Sequence, residues 1–290
     1  MTAEVVGSVS ELWRYPVKSM LGERIERSEV TEAGVTGDRA FALLDVETGT
    51  IASAKRPRRW GRLLELEARL DQAGHATITF PDGGTLSTAD PELEKRLSQF
   101  LGRDVRVAAT APDGATYEEV WDPGKNDSPL YGEQVASEDG QPVISIAPSM
   151  VAPTGTFFDF SAIHLVTTSS LAALQSAYAE GVVDVARFRP NLVVEVPDAP
   201  RFVENDWAQG ELEIGTGGLT VRGMIPTMRC VMTTLAQPGL PRDPGILQAT
   251  NRANRVSIQG IGDYACLGLY ARVTSAGPVA SGEAVRVRTP

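Results

Sequence analysis

Cysteine and histidine are both scarce in this chain, with two residues of each among 290. A secreted domain held by disulfides would carry more cysteines, so Cys230 and Cys266 indicate a protein of the reducing cytoplasm. The two histidines, His75 and His164, argue against a zinc site built from histidine ligands. A Ser-His-Asp triad that uses His164 stays open, although no other feature of the sequence supports it.

The sequence also lacks long apolar segments and an excess of basic residues. No run approaches the roughly 20 apolar residues of a membrane helix, and the amino terminus has no apolar core of signal-peptide length. We therefore expect a cytoplasmic protein without a membrane partner. Lys and Arg number 27 against 37 Asp and Glu, which gives a formal net charge of -10 and a pI of about 4.9. This charge argues against binding to nucleic acid or to an anionic membrane surface.

Common enzyme fingerprints are missing as well. The sequence has no GxGxxG after a predicted strand, no GxxxxGK followed by Ser or Thr, no HExxH and no GxSxG. What remains for chemistry is a set of four polar and basic clusters, one of which contains a cysteine.

Short strands separated by Gly, Pro and Asp turns dominate the sequence. Hydrophobic residues make up 42% and charged residues 22%, which is typical of a globular protein with a sizeable core. Two helices are predicted, at residues 91–101 and 169–180, so the pattern indicates a mainly β protein with some α (α+β), an antiparallel barrel or sandwich with peripheral helices. Residues 111–155 are rich in Pro, Gly, Asp and Ser, and we interpret them as a linker or lid. Strands are predicted at residues 5–15, 24–31, 39–45, 63–70, 75–80, 192–196, 211–214, 219–221, 230–234, 264–273 and 284–288.

The first two polar clusters lie in the first half of the chain. In YPVKS, at residues 15–19, proline forces a turn that leaves the Lys18 ammonium, the Ser19 hydroxyl and nearby amides free to meet an anion. A surface turn with a solvated lysine is the alternative. In TGDR, at residues 36–39, Arg39 can offer two parallel hydrogen bonds to a phosphate, or it can pair with Asp38 or another acid of the fold.

The other two clusters lie in the second half. RFRPN, at residues 187–191, places two arginines and an asparagine at a bend before the predicted strand LVVEV. Such a bend can bind a heteroaromatic ring and a phosphate, unless the arginines are structural. In RCVMTT, at residues 229–234, the neighbouring cation favours the Cys230 thiolate, a soft ligand suited to transition metals. A buried inert cysteine is the alternative, and this is our interpretation of Cys266 in its apolar strand.

The order YPVKS, GDR before a strand, FRPN before a strand, RCxxTT and a closing short barrel resembles the MOSC family, named after the carboxy-terminal domain of molybdenum cofactor sulfurase. The resemblance extends over residues 5–287 and is closer to the branch that carries an amino-terminal MOSC-type barrel, which includes the mitochondrial amidoxime-reducing components and bacterial relatives. It implies an antiparallel MOSC β-barrel at residues 156–290, preceded by a smaller β-barrel-like domain at 1–105, a linker or lid at 106–155, and a few peripheral helices.

The resemblance also implies the site. Cys230 matches the cysteine that binds molybdenum, and we expect it to be the catalytic residue. Cofactor contacts are expected from Lys18 and Ser19 near the phosphate, from Arg39, from Arg189 and Asn191 around the pterin, and from Asp159 and Ser161, which match an Asp-x-Ser before a strand and helix.

The activity that the resemblance implies is that of a molybdenum–molybdopterin oxidoreductase that removes oxygen from N-hydroxylated or N-oxide substrates. Since no flavin, haem or iron–sulfur motif is present, two electrons must come from an external electron-transfer protein of the ferredoxin, flavodoxin or cytochrome type, with its reductase. Pyridoxal phosphate, which occurs in fused sulfurase relatives, is not expected because no separate domain is large enough for it. Residues 105–156 depart from the family in the region that walls the pocket, so the substrate is not predicted.

Two other functions stay open. Cys230 could carry a persulfide, which would make the chain a sulfur-transfer protein. The chain could also be a binding or biosynthetic barrel that has lost the cofactor. Mitochondrial amidoxime-reducing members carry an amino-terminal membrane anchor that is not seen here, so we expect a soluble cytoplasmic relative.

Overall fold

The structure is a computed structural model that describes residues 3–121, 132–148, 152–197 and 199–289. The strands of the first part of the chain are β1 (Glu4–Arg14), β2 (Glu23–Ile25), β3 (Arg27–Thr31), β4 (Gly34–Val35), β5 (Ala42–Asp45), β6 (Glu67–Leu70), β7 (Ala76–Thr79), β8 (Thr85–Ser87), β9 (Val105–Ala108) and β10 (Tyr117–Val120). They are followed by β11 (Gly132–Glu138), β12 (Gln141–Ile146), β13 (Ile163–Thr167), β14 (Leu192–Glu195), β15 (Glu211–Ile214), β16 (Leu219–Met228), β17 (Arg255–Ile258), β18 (Gly262–Ser275), β19 (Gly277–Ala280) and β20 (Ala284–Arg288).

The helices of the described residues are short. They are α1 (Pro57–Trp60), α2 (Leu93–Leu101), α3 (Thr168–Ala177), α4 (Val185–Phe188) and α5 (Gly245–Ala253), with 3-10 helices at Gly61–Glu65, Val203–Trp207 and Val231–Thr234. None of them combines the length and the apolar character that a membrane crossing requires. The predicted mainly β architecture with a few helices is confirmed.

Seven strands close into a barrel in the order β13-β14-β1-β20-β15-β16-β18, and β18 pairs back with β13. The β13–β14 pair is parallel and the other neighbours in the ring are antiparallel. The strand β1 comes from the amino terminus and lies between β14 and β20. The carboxy-terminal barrel is therefore completed by the first strand of the chain, and the turn that follows β1 lies at its rim.

Alternating apolar residues of the barrel strands fill its interior, among them Leu12, Leu192, Leu212, Val221 and Leu269. A separate core lies in the amino-terminal half, where Trp60, Leu63, Ile78 and Leu97 pack together. A smaller cluster joins the two halves: Ala54 and Leu64 pack with Met232 and Leu235, and Cys230 packs against this cluster.

The predicted strand at residues 230–234 is wrong. The strand β16 ends at Met228, and a 3-10 helix follows at Val231–Thr234. The Thr233 hydroxyl donates to the Cys230 carbonyl at 3.0 Å, and the Thr234 hydroxyl donates to Val231 at 2.8 Å. These local bonds compete with a strand ladder, so the chain turns away from the barrel at the cysteine.

Other boundaries also differ from the predictions. The strand expected at residues 39–45 begins at Ala42, because Gly37 and Arg39 have positive φ and belong to a turn. The strand expected from residue 63 is a 3-10 helix up to Glu65, and only β6 forms the hairpin with β7. The helix expected at 169–180 begins at Thr168, is capped by the Thr167 side chain, and ends at Ala177.

The segment interpreted as a linker or lid contains regular structure. Its described residues include β10, β12 and β11, which form a three-stranded antiparallel sheet in that order, whereas residues 122–131 and 149–151 lie outside the described residues. The pairing of β10 with β12 is long-range and leaves no local pattern, whereas β11 and β12 form a hairpin around Asp139-Gly140, a turn signal that the sequence did contain. The boundaries 1–105, 106–155 and 156–290 stay a prediction.

Candidate cofactor site

The turn after β1 buries Lys18. This residue is only 5% exposed, and its ammonium donates to the Phe157 carbonyl at 2.8 Å and pairs with Asp159. It also lies 4.8 Å from the centroid of the Tyr117 ring. The alternative of a solvated surface lysine is therefore wrong. Burying a charge is costly unless it is paired, and the contacts with Phe157 and Asp159 are what allow this ammonium to stay buried.

Three of the predicted site residues have left-handed backbone conformations: Ser19 at φ 64°, Arg39 at φ 48° and Arg189 at φ 55°. Such a conformation costs about 1–3 kcal/mol for a residue with a side chain, and it persists where surrounding structure enforces it. The Ser19 hydroxyl accepts the Ala54 amide at 3.1 Å, which ties the first turn to the cluster that contains Cys230. Three of the six non-glycine residues with positive φ in the described part of the chain are therefore residues selected from the sequence.

Asp38 connects the turns of the two halves. Its carboxylate accepts the Tyr15 amide at 2.7 Å and the Asn191 side-chain amide at 2.9 Å, and it pairs with Arg39. The ion pair with Asp38 is one of the two possibilities that the sequence leaves for Arg39. Asn191 is 1% exposed, and its side-chain oxygen accepts the His164 amide at 3.1 Å. Its amide group is thus already engaged within the fold, and its predicted contact with a pterin stays a prediction.

The two arginines of RFRPN have different surroundings. Arg187 is fully buried and donates to the carbonyls of Val182, Thr233, Leu235 and Pro241 at 2.8–3.4 Å. This residue is the structural arginine that the sequence allowed. Arg189 donates to the Met20 carbonyl at 2.6 Å, and no carboxylate of the described residues lies within ion-pair distance of it. Burial and the nearby Arg39 lower the pKa of Arg189 to about 10. The Arg189 guanidinium is therefore buried and keeps N–H donors that are available to a ligand.

His164 and Arg229 link the RFRPN turn to the cysteine. One ring nitrogen of His164 lies 3.4 Å from the Arg189 carbonyl, and the other lies 3.4 Å from the Arg229 guanidinium, which also donates to Phe188 at 2.9 Å. Burial and the charge of Arg229 hold the pKa of His164 well below its usual value, so the imidazole is neutral. Cys230 follows Arg229 directly and is half-buried.

Three further residues, which we did not predict from the sequence, lie beside Asp159 in this site: Lys55, Tyr117 and Glu119. The Lys55 ammonium lies 2.8 Å from Glu119, 3.5 Å from Asp159 and 3.4 Å from the Tyr117 hydroxyl. Burial opposes its charge, but Asp159 and Glu119 outweigh this and hold the pKa of Lys55 well above its usual value. The dense basic run at residues 55–62 of an acidic chain was the available signal.

The Asp159 carboxylate lies between two ammonium groups. One carboxylate oxygen pairs with Lys18 and the other lies 3.5 Å from Lys55. Burial raises its pKa, but the two ammonium groups outweigh burial and hold the pKa well below its usual value. Ser161, two residues later, donates its hydroxyl to the Ala271 carbonyl inside the barrel wall. Asp159 is therefore in the cationic group, whereas the Ser161 hydroxyl is engaged elsewhere.

The site as a whole has more cationic groups than carboxylates, although the chain is acidic. The cationic side chains are Lys18, Arg39, Lys55, Arg189 and Arg229, and the carboxylates among them are Asp38, Glu119 and Asp159. Eight buried side-chain polar atoms of the described residues have no hydrogen-bond partner, and two of them, the Tyr15 hydroxyl oxygen and the Arg229 Nε, belong to this site. Buried positive charge and unused donors are what an anionic, hydrogen-bonding ligand requires.

The donor set also bears on metals. Among residues 3–121, 132–148, 152–197 and 199–289, no group of three or more His, Cys, Asp or Glu side chains could enclose a metal ion. The residues present fit a metal that arrives within an anionic cofactor and takes one soft ligand from the protein.

Comparison with known families decides the classification. Residues 6–120 match the MOSC N-terminal beta barrel domain, and residues 153–286 match the MOSC domain. The chain belongs to the MOSC family. Among curated relatives, this MOSC protein is 26% identical over 243 residues to the mitochondrial amidoxime reducing component 2 of Macaca fascicularis, and 25% identical over 238 residues to that of Homo sapiens. Each alignment covers 79% of this chain and 67% of the relative.

A solved structure, that of the YUAD protein from Bacillus subtilis, covers 100% of this chain and 97% of its own at 11% identity, with a TM-score of 0.46.

Proposed function

We propose that this MOSC protein binds a molybdenum–pterin cofactor at the junction of its two halves and reduces N-hydroxylated or N-oxide compounds. The observation that carries the proposal is the concentration of buried cations with spare donors around a half-buried cysteine, in a chain of net charge -10. The amidoxime reducing relatives supply the expected substrate class.

The residues have separate tasks in this proposal. Lys18, Arg39 and Arg189 would hold the phosphate and pterin, since charge-assisted hydrogen bonds in a buried site contribute about 1.5–3 kcal/mol each. Cys230 would supply the protein's ligand to the metal. Asp159 would hold the Lys18 and Lys55 ammonium groups in position. Asn191 would act through Asp38, because its amide already contacts that carboxylate.

When bound, the cofactor supplies the two-electron couple that an N–O bond cleavage requires. The overall reaction takes an N–OH group, two electrons and two protons to an N–H group and water. The electrons would come from an external electron-transfer protein. The two protons would come from solvent, because the lowered pKa of His164 and the raised pKa of Lys55 make both side chains poor proton donors at neutral pH.

The test is reduction of an amidoxime to the amidine by protein purified from a cofactor-producing host, with a reduced viologen as electron donor. We expect turnover by the wild type, none by Cys230→Ala, and none by wild-type protein from a host that cannot make the cofactor. Turnover by the protein from the deficient host at the wild-type rate would refute the proposal.

The alternative in which Cys230 carries a persulfide predicts a different composition. Purified protein would then contain sulfane sulfur that is released by cyanide, and it would lack molybdenum and pterin. Measurement of both in one preparation separates the two functions.

A further inference from the structure

Tyr15 occupies the centre of the cationic turns, and the proposed function gives it no task. Its side chain is 2% exposed. Its amide donates to the Asp38 carboxylate at 2.7 Å, and its carbonyl accepts the Arg39 amide at 2.8 Å. The backbone is therefore fixed on both sides by residues of the site.

The phenol ring contacts both guanidinium groups that we assign to the cofactor. The guanidinium carbon of Arg39 lies 4.5 Å from the ring centroid, and that of Arg189 lies 4.3 Å from it. Arginine stacks favourably on aromatic rings, so the ring keeps two like charges beside each other. Phenylalanine would provide the same ring, which leaves the hydroxyl to be explained.

The hydroxyl is buried and has no hydrogen-bond partner among the described residues. A buried polar group without a partner costs free energy that a fold normally avoids. Burial also raises the pKa of Tyr15, so this group stays a protonated donor at neutral pH. A buried donor without a partner, on a ring that two buried guanidiniums contact, has the properties of a ligand contact.

We propose that the Tyr15 hydroxyl is a further hydrogen-bond donor to the cofactor, placed by the Arg39 and Arg189 guanidiniums that share its ring. This inference rests on the proposed function. It predicts that removal of the hydroxyl weakens cofactor binding without weakening the cofactor-free fold, because the hydroxyl has a partner only in the loaded protein.

The test compares Tyr15→Phe with Tyr178→Phe, the same chemical change at a tyrosine whose hydroxyl does have a partner. Tyr178 donates to Asp243 at 2.8 Å. Two quantities are measured for each variant and the wild type: the rate of pterin release from loaded protein, by pterin fluorescence, and the urea midpoint of cofactor-free protein.

For Tyr15→Phe we expect pterin release about two- to ten-fold faster, the range for one neutral hydrogen bond, and an equal or higher urea midpoint. For Tyr178→Phe we expect a lower midpoint and unchanged release. If the wild type carries the cofactor and Tyr15→Phe releases pterin at the same rate as the wild type, this inference alone is overturned. The same holds if Tyr15→Phe lowers the urea midpoint as much as Tyr178→Phe does. Wild type that contains neither molybdenum nor pterin would overturn the proposed function, and this inference with it.

Discussion

Cys266 lies in a strand of the barrel wall, whereas Cys230 lies just beyond the end of the neighbouring strand, at the rim of the barrel. Cys266 is on β18, paired across the ladder with Met228, the last residue of β16, and Cys230 follows two residues later in the turn. Cys266 is 0% exposed, and burial raises its pKa to about 12. Cys230 is half-buried beside Arg229. The same side chain is inert packing in the wall and accessible at the rim.

Arg187 and Arg189 repeat this difference within one turn. The guanidinium of Arg187 is satisfied by carbonyls on every side, whereas Arg189 keeps donors unused and takes a left-handed backbone conformation. A buried charge that the fold satisfies stabilises the fold. A buried charge that the fold leaves unsatisfied lowers stability and is available to a ligand.

The largest effect on stability should come from replacing Arg187, whose guanidinium donates to four carbonyls of the fold. Arg187→Met leaves several buried carbonyls without donors, and we expect a loss of roughly 3 kcal/mol or more in the free energy of unfolding. Arg189→Met removes a partly unsatisfied charge and should change it by less than about 1 kcal/mol in cofactor-free protein. Urea unfolding of the two variants measures both. Equal losses would show that the two arginines do not differ in role.

A smaller effect should appear in the pH dependence of stability. Burial and Arg229 hold the pKa of His164 well below its usual value, so the unfolded chain binds a proton that the native protein does not. Stability should therefore fall as the pH drops below about 6.5, by up to about 1.4 kcal/mol per pH unit for this one proton.

His164→Gln removes this titration. Urea unfolding at pH 7.5 and at pH 5.5 should show a smaller loss on acidification for the variant than for the wild type. The same loss in both proteins would mean that His164 is not the buried neutral group described here.

The smallest effect is a difference in thiol reactivity, with no change in fold. In native cofactor-free protein, iodoacetamide should label Cys230, while Cys266 should react only after unfolding. Peptide mapping by mass spectrometry identifies the labelled thiol. Labelling of Cys266 at the rate of Cys230 would contradict the contrast between wall and rim.

The sequence predicts the wall better than the rim. Alternation of apolar residues in β15 and β20 reveals their strands directly, and the YPVKS and RFRPN turns select Lys18 and Arg189. The place of β1 between β14 and β20 depends on long-range pairing that no local pattern reports. Lys55 was missed because its partners, Glu119 and Asp159, are distant along the chain. The turn at Cys230 was missed because threonine side chains bond back to the backbone there.

The most direct test of the central claim is the molybdenum content of protein from a cofactor-producing host, compared among the wild type, Cys230→Ala and Cys266→Ala. If the rim cysteine is the protein's ligand, the wild type and Cys266→Ala should carry similar stoichiometric molybdenum, and Cys230→Ala should carry little. A Cys230→Ala protein that retains as much molybdenum as the wild type would contradict the account.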